Sequence, residues 1–349
     1  GKGKALQKAV RRDLTRLMKQ LLKDHPGTAA RCRQMAIAAN TTMLHLLMGW
    51  PCDGLGDWPF HPVSLGGKTY RAQEVLGPQS PLADATVTLL PGMSTYVGAD
   101  ITAGIWQCGL ASSDDVSLFV DLGTNGEMVL GNKDQRFIAS APAGPALEGG
   151  KLTWGTGSVP GAICGVRIER GRAKVRTIDH TVPVGICGTG ILEAMAGLVR
   201  EGLVDETGKL VEPYFHKGFP LASTLDYQRI TLSQQDIREI QMAKSAIRAG
   251  IESLIERSGI SRQRVHQVFL AGGFGYYLDP QKAAVIGLLP ADLAERTTAV
   301  GNTSLKGAIG LLTGAVTLEE LQAIAAGAEE IVLGNDEAFQ RLYIDYLNF

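Results

Sequence analysis

Asp121 and the turn that follows it are the residues of this chain best suited to chemistry. An apolar run, residues 117–120, ends in Asp121, and the letters LGTNG then lead into a second apolar run, residues 127–130. This pattern predicts a β-hairpin with a polar tip. Glycines on either side of Thr124 and Asn125 leave backbone N–H groups uncovered for an anion, and a carboxylate at the mouth suits hydrated Mg²⁺. An ordinary tight turn has the same letters, because Asn-Gly is the commonest short hairpin signal.

Two more glycine turns follow apolar segments. Gly188 and Gly190 flank Thr189 at the start of a predicted helix, where the first N–H groups and the helix dipole favour a phosphate. Gly272 and Gly273 follow a predicted strand, and their missing side chains let a flat ring or a phosphate approach the backbone. One such turn is weak evidence, but three in this order indicate a cleft.

Three polar side chains accompany these turns. Gln241 and Lys244 share one turn of a helix predicted over residues 234–257, spaced either to reach one cleft together or to lie on the surface. Glu148 is the one acid in a loop of residues 141–161 that is rich in glycine and proline. That loop is too broken for a long helix, so it either packs over a sheet or meets a bulky ligand or partner protein.

Composition excludes several classes of protein. With 34 basic and 35 acidic residues the net charge is -1, which gives no electrostatic case for a nucleic acid or an anionic membrane as partner. No apolar run is long enough to span a membrane, and no signal peptide is seen. The five cysteines are odd in number and never form CxxC, which argues against disulfides, iron–sulfur and zinc within the chain and favours the cytoplasm.

The elements that must position these residues alternate between helix and strand. The 349 residues suffice for two lobes, which we predict as 1–116 and 117–349 in an α/β fold. Periodicity predicts a basic amphipathic helix over 5–22, a strand over 34–39 followed by a helix capped by Asn40, a long loop over 49–81, and two small-residue helices over 98–110 and 303–312. His45 is expected to be a packed histidine.

The order of the three turns resembles that of the superfamily of sugar and acetate kinases, actin and heat-shock chaperone ATPases. More narrowly, the motifs ANTTMLHLLMG, YVGADITAGI, FVDLGTNGEMVLGN, AGPALEGG, ICGTGILEA, LAGGFGYYLDP and VGNTSLKGA resemble the ATPase domain of the reductive activators of corrinoid proteins. The resemblance runs over nearly the whole chain. It implies a two-lobed, actin-like ATPase fold with ribonuclease H-like lobes. It also implies that ATP drives the reduction of Co(II) to Co(I) in a corrinoid protein that carries methyl groups.

The resemblance assigns a role to each motif. Asp121 would organise Mg²⁺, and Glu148 is a candidate for aligning the attacking water. The phosphates would be held by the turn of Gly123, Thr124, Asn125 and Gly126. The helix start at Gly188, Thr189 and Gly190 is a second candidate for phosphate binding, on the helix-dipole argument given above. The nucleoside would be held by Gln241, Lys244, Gly272, Gly273 and Phe274. The partner would be a corrinoid protein, with the loop of residues 141–161 as its docking surface, and small apolar surfaces indicate a homodimer.

Two departures from the family pattern stand out. The family carries a ferredoxin-like iron–sulfur domain, and no cysteine cluster of this chain can supply its cluster. An earlier DxGTTT hairpin is also missing, and the chain opens on Gly1 rather than methionine, so we expect a fragment whose first lobe is incomplete. Two other functions stay open: a small-molecule kinase of the same superfamily, and a nucleotide-gated binding subunit that does not hydrolyse ATP.

Overall fold

The computed structural model describes residues 2–273 and 278–349, which form two compact units of helix and strand. The first unit comprises Gly1–Ser113, Lys133–Arg136 and Thr303–Glu330, and the second comprises Asp114–Asn132, Phe137–Asn302 and Ile331–Phe349. The division expected from the sequence, between residues 116 and 117, lies close to the first of these boundaries. It differs in that residues 303–330 cluster with the first unit.

The elements follow one another in an α/β order. The helices are α1 (Lys2–Asp24), α2 (Thr41–Met48), α3 (Asp53–Gly56), α4 (Ala72–Leu76), α5 (Ala99–Gln107), α6 (Gly188–Arg200), α7 (Tyr214–Lys217), α8 (Gln234–Ser258), α9 (Pro280–Val285), α10 (Ala291–Ala294), α11 (Thr303–Thr313), α12 (Leu318–Ala326) and α13 (Glu337–Asp345). The strands are β1 (Gln34–Ile37), β2 (Lys68–Arg71), β3 (Thr86–Leu89), β4 (Val116–Leu122), β5 (Gly126–Gly131), β6 (Arg136–Ala141), β7 (Ala162–Glu169), β8 (Arg172–Thr177), β9 (Gly185–Ile186), β10 (Phe219–Ser223), β11 (Arg229–Leu232), β12 (Val265–Ala271), β13 (Thr297–Gly301) and β14 (Ala328–Glu330).

The first unit contains a three-stranded sheet in the order β1-β3-β2, with β1 parallel and β2 antiparallel to β3. Asn40 caps α2 as predicted, since its side chain accepts a hydrogen bond from the Met43 amide. His45 is buried as expected, with Nδ1 donating to the Thr41 carbonyl at 2.8 Å and Nε2 accepting from the Val63 amide at 3.0 Å.

The prediction of a long loop over residues 49–81 is wrong. The segment contains α3, α4 and β2, and β2 pairs with β3 in the register Lys68↔Leu89. β2 has little apolar periodicity, and it is held in place by hydrogen bonds to β3, which lies farther along the chain. A local sequence pattern does not reveal such pairing.

Close contact between α5 and α11 in the first unit confirms the packing predicted for small-residue helices. A Cβ added to Gly307 of α11 would lie 2.4 Å from the Cβ of Ala103 in α5, so only glycine allows this approach. The cluster around these helices includes the buried side chains of Leu90, Val316 and Leu321.

The second unit is built on a sheet that contains β13, β12, β4, β5 and β6 in that order. β12 runs parallel to both β13 and β4, whereas β4 and β5 form the predicted antiparallel hairpin. The long helix α8 begins at the cap residue Ser233 and buries Ile237, Ile240 and Ile247, as its periodicity predicts. Two smaller sheets complete the unit, β8-β7-β9 and β10-β11.

No helix in the described ranges 2–273 and 278–349 is long and apolar enough to cross a membrane. All five cysteines are free thiols.

Candidate functional site

Two of the predicted turns meet at one edge of the main sheet of the second unit. β4 and β12 are adjacent and parallel, with Asp121 in register with Ala271, so the turns that follow them leave the sheet side by side. Gly272 has φ +108°, and a Cβ there would lie 2.5 Å from the Leu122 carbonyl oxygen and 3.1 Å from Asp121 Oδ1. Glycine is therefore required at position 272, because a side chain would strike the hairpin that carries the carboxylate.

Glu148 contacts the same hairpin. It ends a short 3-10 helix, Pro145–Glu148, and its Oε2 accepts a hydrogen bond of 2.6 Å from Thr124 Oγ1. Its Oε1 lies 4.0 Å from the position that a Cβ would take on Gly123. The structure therefore joins the single acid of the glycine-rich loop to the tip of the turn, a contact that the sequence did not show.

At the tip of the turn, one backbone amide is hydrogen-bonded within the turn and two others face solvent. The Gly123 amide donates to the Asn125 carbonyl at 3.0 Å and closes the turn. The amides of Thr124 and Asn125 have no protein acceptor in the described part of the chain, and both residues are exposed. Of the backbone amides at this turn, those of Thr124 and Asn125, rather than that of Gly123, are available to an anion.

Gly126 has a packing role. It is buried, and a Cβ at this position would lie 2.1 Å from Ile247 Cδ1 in α8. The glycine thus lets the hairpin approach the helix, which is a different reason for glycine from the predicted contact with phosphate.

The donor set at this edge suits a magnesium ion that is held together with a nucleotide. Asp121 is half-buried, and Glu127 lies opposite it across the hairpin. Within the described ranges no group of three or more His, Cys, Asp or Glu side chains is placed to hold a metal ion by itself. Mg²⁺ commonly takes one or two carboxylates and completes its shell with phosphate oxygens and water, so Asp121 is the residue that would hold it here.

The Gly188–Gly190 turn is buried at the start of α6. Gly188, Thr189 and Gly190 are all buried in the first turn of α6, whereas the sequence predicted N–H groups pointing outward to a phosphate. A Cβ on Gly190 would lie 2.1 Å from the carbonyl oxygen of Ile163 in β7. Gly190 therefore allows close packing of helix on strand, and phosphate binding by this turn stays a prediction.

Gln241 and Lys244 lie on one flank of α8, but they do not reach into open space. Gln241 is 2% exposed and Lys244 is 1% exposed. Gln241 Nε2 donates to the Thr207 carbonyl at 3.1 Å and to the Leu347 carbonyl at 2.8 Å, and Lys244 Nζ donates to the Asn348 carbonyl. Their role at a nucleoside stays a prediction, and both side chains are already hydrogen-bonded within the protein.

Burial of Lys244 changes its protonation. Burial, reinforced by the charge of Arg248, lowers the pKa of Lys244 from 10.5 to about 8. Between these two values the unfolded chain binds a proton that the folded protein has released. The stability contributed by this group therefore rises with pH across that window.

Substitution of Lys244 tests this linkage. From about pH 7.5 to about pH 9.5 we expect the free energy of unfolding to rise by about 2 kcal/mol more in the wild type than in Lys244→Met. Urea unfolding at the two pH values measures the difference. The exposed Lys217→Met variant is the control and should follow the wild type. Parallel pH profiles for wild type and Lys244→Met would contradict the assignment.

The remaining predicted residues fall at or beside the AGG turn. Gly273 is exposed, and a Cβ at that position would meet no atom of the described residues within 4 Å. Phe274, also predicted to contact the nucleoside, lies outside the described residues.

Sequence reasoning missed the residues that cover the flank of α8. The Arg248 guanidinium lies over the Tyr346 ring, with Cζ 4.4 Å from the ring centroid, and Lys244 Nζ lies 4.9 Å from the Phe349 ring centroid. Because Arg248 follows Lys244 at helical spacing, the sequence could have placed it on the same flank of α8. No sequence pattern indicated that C-terminal aromatic residues contact these two cations.

Comparisons with known proteins agree with the geometry. The family model described as the C-terminal domain of RACo, the ASKHA domain, matches residues 115–349, and the model of the RACo middle region matches residues 1–113. A solved structure titled reductive activator for corrinoid, iron-sulfur protein superposes with a TM-score of 0.92 at 33% identity, covering 99% of this chain and 57% of that chain. These matches confirm the predicted α/β, actin-like ATPase fold.

Two curated relatives are similar over most of the chain. The corrinoid activation enzyme RamQ of Eubacterium limosum is 32% identical over 358 aligned positions, which cover 97% of this chain and 60% of that protein. The Co(II) methylated amine-specific corrinoid protein reductase of Methanosarcina barkeri is 28% identical over 311 positions, which cover 82% of this chain and 56% of that protein. The chain thus spans less than two thirds of the length of the relatives it matches.

Proposed function

Since the chain belongs to the RACo family, we propose that it is the nucleotide-binding part of an ATP-dependent reductive activator of a corrinoid protein. In this proposal ATP drives the reduction of Co(II) to Co(I) in a methyl-carrying corrinoid protein. The names of the relatives, a corrinoid activation enzyme and a corrinoid protein reductase, support this choice of partner. The electron would come from an iron–sulfur cluster held outside residues 1–349, because the five cysteines of this chain are widely spaced.

One observation carries the proposal. Asp121 and Gly272 are far apart in sequence, yet Asp121 Oδ1 lies 3.1 Å from the position of a Cβ on Gly272. The carboxylate suited to Mg²⁺ and the glycine turn suited to a nucleoside thus lie at one edge of one sheet. Ligands of open α/β sheets bind outside the carboxyl ends of the strands, which is where both residues are found.

Each part of the edge has a chemical task in this proposal. Asp121 holds Mg²⁺, which neutralises charge on the phosphates and so supplies the electrophilic help that phosphoryl transfer needs. The amides of Thr124 and Asn125 bind phosphate oxygens, and Glu148 orients the water that attacks. Its bond to Thr124 fixes the carboxylate beside the turn.

The energy for reduction would come from differential binding. A nucleotide can drive an uphill electron transfer only if the ATP-bound and ADP-bound states differ in their affinity for the partner or for its reduced form. We place the partner at the loop of residues 141–161. Thr153 anchors this loop to Asp236 through bonds of 2.8 and 3.1 Å, whereas the segment of residues 157–160 is exposed.

We further propose a cytoplasmic homodimer. The helix α11 exposes Leu305, Ile309 and Leu312 at helical spacing, with 57%, 49% and 44% of their surfaces accessible. An apolar stripe of this kind supports self-association, since a second copy would remove it from water.

Phosphate release tests the function, with Glu148→Gln as the diagnostic variant. We expect hydrolysis of Mg²⁺-ATP to be stimulated by a corrinoid protein, and Glu148→Gln to lower turnover by about 100-fold or more while ATP affinity stays within about threefold. The exposed Glu256→Gln is the matched control.

The other outcomes identify the rival functions. Phosphate transfer to a sugar or an organic acid, with no response to corrinoid protein, would indicate a small-molecule kinase. ATP binding without phosphate release, with or without corrinoid protein, would indicate a nucleotide-gated binding subunit. Equal turnover for Glu148→Gln and Glu256→Gln would remove Glu148 from the mechanism.

A further inference from the structure

Residues 343–349 form a C-terminal clasp on the flank of α8. Two of its rings lie over cations of the helix, the half-buried Arg248 and the buried Lys244, with the Tyr346 centroid 4.4 Å from Arg248 Cζ and the Phe349 centroid 4.9 Å from Lys244 Nζ. Arg248 Nε also donates a hydrogen bond of 2.8 Å to Glu252 Oε1. A cation fixed under an aromatic face is attracted to the ring, and the attraction grows as water is excluded.

Backbone carbonyls of the clasp also accept hydrogen bonds from the polar side chains of this flank. The carbonyl of Tyr343 accepts from Ser245 Oγ, and the carbonyls of Leu347 and Asn348 accept from Gln241 and Lys244. The Phe349 amide in turn donates to the Glu206 carbonyl at 2.9 Å. Buried donors need such acceptors, so the closed clasp satisfies three side chains that would otherwise need another partner.

Gln241 leaves no donor for a ligand while the clasp is closed. Its two amide hydrogens go to the carbonyls of Thr207 and Leu347, and its Oε1 accepts from Arg238 Nη1 at 2.6 Å. Lys244 is 1% exposed beneath Phe349. A ribose or a base therefore cannot bind these two side chains in the closed arrangement.

We propose that the C-terminal clasp and the nucleoside of ATP compete for Gln241 and Lys244, so that the clasp must open for full nucleotide binding. This inference rests on the proposed function and on the role at the nucleoside that the family resemblance implies for the two side chains. The apparent affinity for ATP is then reduced by the fraction of protein whose clasp is closed. The equilibrium between the open and closed clasp therefore sets the nucleotide concentration at which the site is occupied.

The double variant Tyr346→Ala/Phe349→Ala tests the competition. Loss of both ring contacts weakens the clasp, and calorimetry is expected to show about tenfold tighter binding of Mg²⁺-ATP than in the wild type. The control is Ile344→Ala in α13, whose side chain is 65% exposed and whose affinity should not change. Unchanged or weaker binding by the double variant would overturn the proposal.

Hydrogen exchange of the unmodified chain gives an independent readout. Addition of Mg²⁺-ATP is expected to speed exchange of the amides of residues 346–349, the Phe349 amide included, because the nucleoside displaces the clasp. Slower exchange would mean that the clasp closes over the nucleotide, and the competition would be refuted. If neither wild type nor variants bind ATP, the proposed function fails as well; if they bind it without these changes, only the clasp proposal fails.

Discussion

Asp121→Asn is expected to lower the affinity of the chain for Mg²⁺-ATP by about 100-fold or more. The substitution keeps the shape of the side chain and removes its charge, at the position where the carboxylate lies beside Gly272. A divalent ion that Asp121 would hold together with phosphate oxygens loses a charged protein ligand, and about 100-fold corresponds to about 2.7 kcal/mol. Isothermal titration calorimetry with excess Mg²⁺ measures the effect.

The magnesium dependence separates this role from a general effect of charge. With a chelator in place of Mg²⁺, wild type and Asp121→Asn should bind ATP with similar, weak affinity, because the ion is the link between the carboxylate and the phosphates. The exposed Asp226→Asn provides a control that removes the same charge elsewhere on the second unit. An undiminished affinity in Asp121→Asn, or an equal loss in chelator, would remove Asp121 from the magnesium site.

Gly190→Ala is expected to destabilise the second unit by about 3 kcal/mol or more. An alanine normally stabilises a helix interior by about 1 kcal/mol relative to glycine, so the expected sign is the reverse of the intrinsic propensity. The reason is steric, since the new Cβ would lie 2.1 Å from the Ile163 carbonyl oxygen, a backbone atom that cannot rotate away. Either α6 moves off β7 or the strand shifts, and buried contacts are lost in both cases.

Chemical denaturation followed by circular dichroism measures this loss. Gly3→Ala in α1 is the matched control, because a Cβ there meets no atom of the described residues within 4 Å, and this variant should be as stable as the wild type or slightly more stable. A Gly190→Ala protein with undiminished stability and a selective loss of ATP binding would reverse the conclusion. It would restore the phosphate role that the sequence predicted for this turn.

The sequence determined much of the fold because its signals are local. The Asp121 hairpin, the cap at Asn40, the course of α8 and the close packing of α5 with α11 each follow from apolar periodicity or from small residues at fixed spacing. The family resemblance was also carried by short motifs, and the comparisons confirm it over residues 1–113 and 115–349. β2 was not predicted, because it is stabilised by pairing with β3, a strand farther along the chain.

For glycine turns, the local sequence does not determine the function of each glycine. The sequence predicted the same task, phosphate binding, for Gly126 and for the turn at Gly188–Gly190. In the structure Gly126 and Gly190 allow close packing against Ile247 and Ile163, while Gly272 clears the space next to Asp121. Because glycine lacks a Cβ, either a ligand or a packed protein segment can approach its backbone, and only the tertiary contacts show which one does.

Residue types by themselves placed Asp121, Glu148, Gln241 and Lys244 among the candidates, since carboxylates, an amide and an amine at those spacings suit nucleotide chemistry. The tertiary structure alone decided what each of them touches. It joined Glu148 to Thr124, set Asp121 beside Gly272, and covered Gln241 and Lys244 with the C-terminal clasp. The physical reason is that a side chain's type sets which bonds it can form, whereas its burial and its partners depend on contacts between segments far apart in the chain, which no local pattern records.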